Sequence, residues 1–278
     1  MDDRALTSRL AEAAHVQASP EELDALFAVN PVMTEWSQNP ADDQRGELRV
    51  SAWTRDRVAA AAVVDRFAPA HLTARAALLG DELEGVGLAL RGHGPPSFRW
   101  WTFADDGARL AARARRTWPD DAAMMDAVLA AAGGPHTCAA VGVELATTGH
   151  RRTIYAELRT PASAIRMLEL AAVPVSQPAN LFWKGIVGLE PGGRPWPRVW
   201  VGRSVGPAGG WKFYYFARGD ELRRTDEVLL DAVSAGPRAR EVWLQLQEVV
   251  RGPCVQFVGL TFPDTRVEPS FTTYLARI

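Results

Sequence analysis

Four times between Glu84 and the C-terminus the chain writes two short alternating runs around a turn, and the first two of these pairs are followed directly by helical patterns. EGVGLALR (Glu84 to Arg91) and SFRWWTF (Ser97 to Phe103) flank HGPP, and DDGARLAARARRTW and DDAAMMDAVLAA follow with helical periodicity. TCAAVGVELA and TIYAELR repeat the unit around TTGHRR, with PASAIRMLELAA after them. NLFWKGIVGLEP and PRVWVGRS then lie around the Pro/Gly-rich stretch Gly192 to Pro197 as a further strand-like pair. The strand WKFYYFAR, two helical patterns (Asp220 to Val233 and Pro237 to Val250), and the pair CVQFVGLTF and SFTTYLARI complete the chain. Strand pairs about 45 to 50 residues apart, alternating with helices, specify antiparallel hairpins rather than parallel crossovers. The class is α+β. Helices gathered on one face favour a sheet that closes into a barrel, because closure removes both edges.

The N-terminal region adds two helices, Asp3 to Ala14 and Pro20 to Val29, the second opened by Ser19-Pro20-Glu21-Glu22. A serine cap, a proline at the first helical position and early glutamates form a strong start signal. GELRVSAW reads as a strand, whereas RVAAAAVVDRF fits either a strand or a helix. At 278 residues and 47% hydrophobic content, the chain is taken as a single barrel domain over 1–278.

Composition excludes several classes of function. A net charge of -2 argues against a nucleic-acid partner, and no apolar run is long enough for a membrane span or a signal peptide. The expected location is the cytoplasm, with no membrane partner. Cys138 and Cys254 lie in apolar strand-like runs, which suits buried thiols. Asp42-Asp43, Asp105-Asp106 and Asp120-Asp121 begin loops or helices and suit capping. The histidines lack ligand spacing, so no metal site is expected.

Chemistry enters with the second strand of each pair. Arg99-Trp100-Trp101, Arg198-Val199-Trp200, Lys212-Phe213-Tyr214 and Thr272-Thr273-Tyr274 each put a cation or hydroxyl two residues before an aromatic, hence on one face of a strand. Arg152 and Tyr155 are three apart and break that parity; Thr153 takes the slot. Lys212 is one of two lysines beside 29 arginines. Directed inward, these faces would line a lumen with fixed cations and aromatic walls; directed outward, the cations would be solvated. The inward arrangement suits ionisation of an allylic diphosphate, with arginine and lysine on the phosphate oxygens and aromatic faces shielding the carbocation.

In this organisation the chain resembles the ABBA-type aromatic prenyltransferases, from about Glu47 onward. VWVGRSVGPAGGWKFYYFARGDEL, VQFVGLTFPDTRVEPSFTTYL and GVELATTGHRRTIYAEL are most similar to the cyanobactin-type peptide prenyltransferases. The resemblance implies a barrel of ten strands built from repeated αββα units, helices outside. It also implies transfer of a dimethylallyl or related group from its diphosphate to an electron-rich ring, expected to be a tryptophan or tyrosine of a ribosomal peptide. The alternatives are a small indole or phenol acceptor, or a non-catalytic barrel binding a hydrophobic ligand. Lys212, Tyr214 and Tyr274 would contact the diphosphate, with Arg99, Arg152, Lys184 and Arg198 as further cations. Trp101, Tyr155 and Trp200 would shield the prenyl cation, and Glu47 would take the ring proton. Thr272 stands where the family often has a cation, which implies a weaker clamp or help from a nearby arginine. No cofactor is required by this reading, though magnesium could accompany the diphosphate.

Overall fold

The computed structural model describes residues 2–16, 19–38, 47–54, 56–67, 83–91, 97–103, 105–146, 149–173, 176–187, 196, 198–206, 209–216, 240–241, 244, 254–264 and 270–277. Ten antiparallel strands close on themselves: β1 (Met33–Gln38), β2 (Glu47–Trp53), β3 (Leu83–Arg91), β4 (Ser97–Phe103), β5 (Cys138–Ala146), β6 (Gly149–Leu158), β7 (Arg198–Val205), β8 (Gly210–Phe216), β9 (Cys254–Pro263) and β10 (Ser270–Arg277). Each strand pairs with the next in sequence, and β1 closes the ring against β10, with Ser37 opposite Tyr274. Every strand therefore has two neighbours, so the barrel has no free edge to recruit another chain.

Period-two alternation decides what faces in. Leu48, Val50 and Ala52 of β2, Val199 and Val201 of β7, and Phe213 and Tyr215 of β8 are buried in the apolar layer between barrel and helices. The intervening residues point to the lumen. Around the barrel run α1 (Asp3–Ala13), α2 (Pro20–Phe27), α3 (Arg57–Phe67), α4 (Gly107–Thr117), α5 (Ala122–Ala132), α6 (Pro161–Leu170) and α7 (Gln177–Asn180). The expected start of α2 is present as a full capping box: Glu22 N–H donates to Ser19 Oγ and Ser19 N–H donates to Glu22 Oε2, both at 3.1 Å. Removing that cap by Ser19→Ala costs about 1 kcal/mol. Asp2 caps α1, whose Leu6 and Leu10 are buried against the core, and Thr7 Oγ1 accepts from the buried Trp36 indole at 2.9 Å. One hydrogen bond thus fixes α1 on β1.

Three elements differ from the sequence expectation or complete it. The ambiguous RVAAAAVVDRF is helical, as α3. The first strand, MTEWSQ, lies where only helices and a connection were expected. Its six residues mix polar and apolar types, and its strand character comes from hydrogen bonds to β2 and β10 rather than from propensity. NLFWKGI is not a strand: Leu181–Ile186 forms a π-helical turn after α7, and the adjacent Phe182 and Trp183 are both buried. Neighbouring residues cannot share one face of a strand, whereas a helix turned against the barrel buries both; Trp183 packs on Phe213 with centroids 5.1 Å apart. The two late helical patterns, Asp220 to Val233 and Pro237 to Val250, lie almost wholly outside the described residues. Cys138 is a buried free thiol, and burial pushes its pKa up to about 12, against a weaker pull from Arg115. Among the described residues no helix is long and apolar enough to cross a membrane.

Candidate active site

A cavity of about 210 Å3 occupies the lumen. Four cations from four strands line it: Arg49 (β2), Arg99 (β4), Arg151 (β6) and Lys212 (β8). Beside them stand the aromatic side chains of Trp101, Tyr155 and Tyr214, two or four residues further along the same strands. The cation-x-aromatic pattern thus turns inward on β4 and β8, where Arg99 Cζ lies 5.5 Å from the Trp101 ring and Lys212 Nζ 5.5 Å from the Tyr214 ring. Lys212 donates to Thr272 Oγ1 at 2.8 Å, so Thr272, on the neighbouring side of the lumen, orients the lysine.

The rings fit because glycines face them. Gly85, Gly87, Gly142 and Gly202 take inward positions on β3, β5 and β7, and a Cβ at Gly142 would stand 2.7 Å from Trp101 Cδ1. Trp101 lies in that gap and donates its indole N–H to the Tyr155 hydroxyl at 3.3 Å, and Tyr155 in turn tilts against Tyr214 with centroids 5.9 Å apart. Trp53, Phe103, Trp200 and Phe216 continue the aromatic wall, with Trp53 to Phe103 at 4.9 Å and Trp200 to Phe216 at 5.1 Å. The lumen is therefore cationic at the hairpin end and aromatic below.

Two carboxylates complete the electrostatics. Glu144 on β5 is opposite Arg99 on one side and Arg151 on the other, and it accepts a hydrogen bond from Arg151. Burial would raise its pKa, but Arg151, Arg99 and Arg49 outweigh burial and hold the carboxyl well below the usual range, so it stays ionised. Glu35 on β1 is buried, and desolvation raises its pKa to about 7 despite opposing pulls from Arg99, Lys212 and Arg49 and from the neighbouring Trp53 indole. Among the described residues no group of three or more His, Cys, Asp or Glu side chains could hold a metal ion.

Arg99, Lys212, Tyr214, Trp101 and Tyr155 are thus brought together, while other expected residues are not. Arg152 points out of the barrel, where it donates to Asp121 Oδ1 at 3.0 Å and contacts His150; the inward cation of that strand is Arg151, in phase with Thr153 and Tyr155. Lys184 is exposed on the π-helical turn outside the barrel, because that segment is not a strand. Arg198 shares the face of Trp200 but lies at the opposite end of the barrel, half exposed, over Trp200 at 4.9 Å and Phe216 at 5.3 Å, with Glu157 3.6 Å away. Trp200 lines the lower aromatic wall rather than the cationic cavity. The Glu47 and Tyr274 side chains lie outside the described residues; their backbones are at the start of β2, opposite Arg91, and in β10, opposite Phe257. Sequence reasoning missed Arg49, Arg151, Glu35 and Glu144. Parity carried a signal for two: Arg49-x-Ser51-x-Trp53 and Arg151-x-Thr153-x-Tyr155 repeat the alternation already seen on β4 and β8.

No protein-family model matches the sequence, and no curated protein is similar enough to count as a relative. Solved structures do match along nearly the whole chain. 6-Dimethylallyltryptophan synthase from Micromonospora olivasterospora, in complex with DMASPP and Trp, superposes with a TM-score of 0.73 at 16% identity, covering 98% of this chain and 95% of that one. 5-Dimethylallyltryptophan synthase from Streptomyces coelicolor gives 0.68 at 16% identity over 98% and 95% of the two chains. NotF in complex with brevianamide F and DMSPP gives 0.63 at 13% identity over 97% and 91%. These neighbours carry the ABBA-type part of the sequence resemblance and give no support to its cyanobactin-type part. With ten antiparallel strands closed around a lined lumen, the chain has the fold of the ABBA-type aromatic prenyltransferases.

Proposed function

We propose that this protein transfers a dimethylallyl or related prenyl group from its diphosphate to the electron-rich ring of a small indole compound such as tryptophan. One observation carries the reading: Arg49, Arg99, Arg151 and Lys212 converge inside the lumen directly beside Trp101, Tyr155 and Tyr214. A barrel that only bound an apolar ligand has no use for four inward cations, whereas a departing diphosphate requires them.

In this mechanism the bond between the allylic carbon and the diphosphate oxygen breaks, and its electron pair leaves with the diphosphate. Lys212, Arg99, Arg49 and Arg151 stabilise the developing negative charge, and Tyr214 offers a further hydroxyl. The allyl cation rests against the faces of Trp101 and Tyr155, which attract it and exclude water. A ring carbon of the acceptor forms the new bond and gives its proton to a carboxylate. Glu35 suits that task better than any other described carboxylate, since Glu144 is already committed to arginines and Glu35 is held near neutrality. Glu47 remains the second candidate, on the strength of the sequence resemblance.

The small acceptor replaces the ribosomal peptide as the main reading. It is supported by neighbours named as dimethylallyltryptophan synthases, one of them in complex with DMASPP and Trp. The side-chain cations meet the donor's charge in this scheme, and magnesium accompanying the diphosphate is compatible with it. Mass spectrometry after incubation with dimethylallyl or geranyl diphosphate, and with tryptophan, tyrosine or peptides containing them, tests it. A dimethylallyl mass shift on free tryptophan is expected. Faster transfer to peptides would reverse the acceptor assignment, and no shift with any pair would leave a binding barrel.

A further inference from the structure

Glu144 is an odd residue to find in an anion site. It is 8% exposed, lines the cavity, ion-pairs with Arg151 and sits between Arg151 and Arg99 in the strand register. A diphosphate that reached for Arg151 would meet this carboxylate as a like charge competing for the same guanidinium. We propose that Glu144 is the internal counter-ion of the donor site, holding Arg151 in place when the site is empty and weakening the grip on diphosphate so that the product can leave.

The physical case has two sides. Without an ionised carboxylate, four cations would face one another across a buried lumen, and that repulsion would load the empty state. With the carboxylate present, three net positive charges remain among these five side chains. Its persistent negative charge is consistent with the depressed pKa imposed by Arg151, Arg99 and Arg49. An isosteric neutral replacement therefore raises the affinity for any anion that occupies the cluster, the opposite of what loss of a binding group does. The inference rests on the donor-site reading above, and a binding measurement separates the two.

Inorganic pyrophosphate titrated calorimetrically into the folded protein is the probe. Glu144→Gln is expected to bind it at least about tenfold tighter than the wild type, and in turnover to lower both the donor KM and kcat as release slows. Glu144→Asp, which keeps the charge, should stay within a few-fold of the wild type. If Glu144→Gln does not fold, Arg151→Gln is compared with Arg151→Gln/Glu144→Gln, where removing the carboxylate restores at least about tenfold of the lost affinity. Unchanged or weaker pyrophosphate binding in Glu144→Gln, or a double variant no better than Arg151→Gln, overturns the proposal. Absence of pyrophosphate binding by the wild type overturns both this inference and the donor-site reading.

Discussion

Lys212 on β8 and Thr272 on β10 meet over the intervening β9 at 2.8 Å, the lysine donating to the threonine hydroxyl. A rare lysine is thereby held by a residue standing where a second cation was expected. The hydroxyl aims the ammonium without adding charge, so under the proposed function donor binding is expected to depend more on Lys212 itself. Lys212→Ala should lower kcat/KM for the donor by about 10- to 100-fold, as expected for loss of a charged hydrogen-bonding partner. Steady-state kinetics at varied donor concentration checks this, and unchanged donor kinetics would remove Lys212 from the site. Thr272→Val should cost less, because the charge remains.

Gly142 makes the space that Trp101 fills. A methyl group there would stand 2.7 Å from Trp101 Cδ1 and 3.0 Å from its Nε1, so Gly142→Ala must displace the indole and break its hydrogen bond to Tyr155. Overpacking of this kind costs about 1–3 kcal/mol. A lower thermal midpoint together with reduced transfer rate is expected, whereas an unshifted midpoint with full activity would show that the Trp101–Tyr155 contact is dispensable.

Arg151 and Arg152 are neighbours in sequence that face opposite sides of the barrel wall. Arg152 covers the carboxylate of Asp121, which is 5% exposed outside the barrel, so Arg152→Ala leaves a buried charge and should destabilise the fold by about 3–5 kcal/mol without changing donor KM. Arg151→Gln should raise donor KM with less effect on stability, because Glu144 keeps the attraction of Arg99 and Arg49 when Arg151 is gone. Denaturant melts and donor kinetics on the two variants distinguish these outcomes; exchanged effects would place the wrong arginine in the lumen.

That pair also shows where the sequence was legible. Alternation on β4 and β8 is unbroken, so Arg99, Trp101, Lys212 and Tyr214 could be assigned to one face before any fold was known. On β6 two consecutive arginines offered both parities; the phase shared with Thr153 and Tyr155 favours Arg151, and the register with β5, which sets Glu144 opposite Arg151, agrees with it. Lys184 was misplaced with its whole segment, since a short apolar run has no period of its own and its helix depends on tertiary packing of Phe182 and Trp183. Glu35 was invisible for a related reason: MTEWSQ carries little strand propensity, and closure of β1 between β2 and β10 is a long-range event.

As the proposed base, Glu35 predicts a pH signature for the reaction. With its pKa raised from 4.5 to about 7 by burial, it is protonated in the free protein at mildly acid pH. A base must be ionised, so kcat/KM should rise with pH to a plateau above about 7. In Glu35→Gln this acid limb should vanish and the rate fall by roughly 100-fold or more, the usual contribution of a general base. Stability runs the other way. The folded state holds the Glu35 proton more tightly than the unfolded chain, so Glu35's contribution is fully present below about pH 4.5 and is lost as pH rises through about 7. Near pH 8 the wild type should therefore be less stable relative to Glu35→Gln than it is at pH 4.5, by a few kcal/mol. Denaturant melts of both proteins at the two pH values measure that difference. A constant gap between them, or an acid limb retained in Glu35→Gln, would return the role of base to another carboxylate, with Glu47→Gln as the next variant to make.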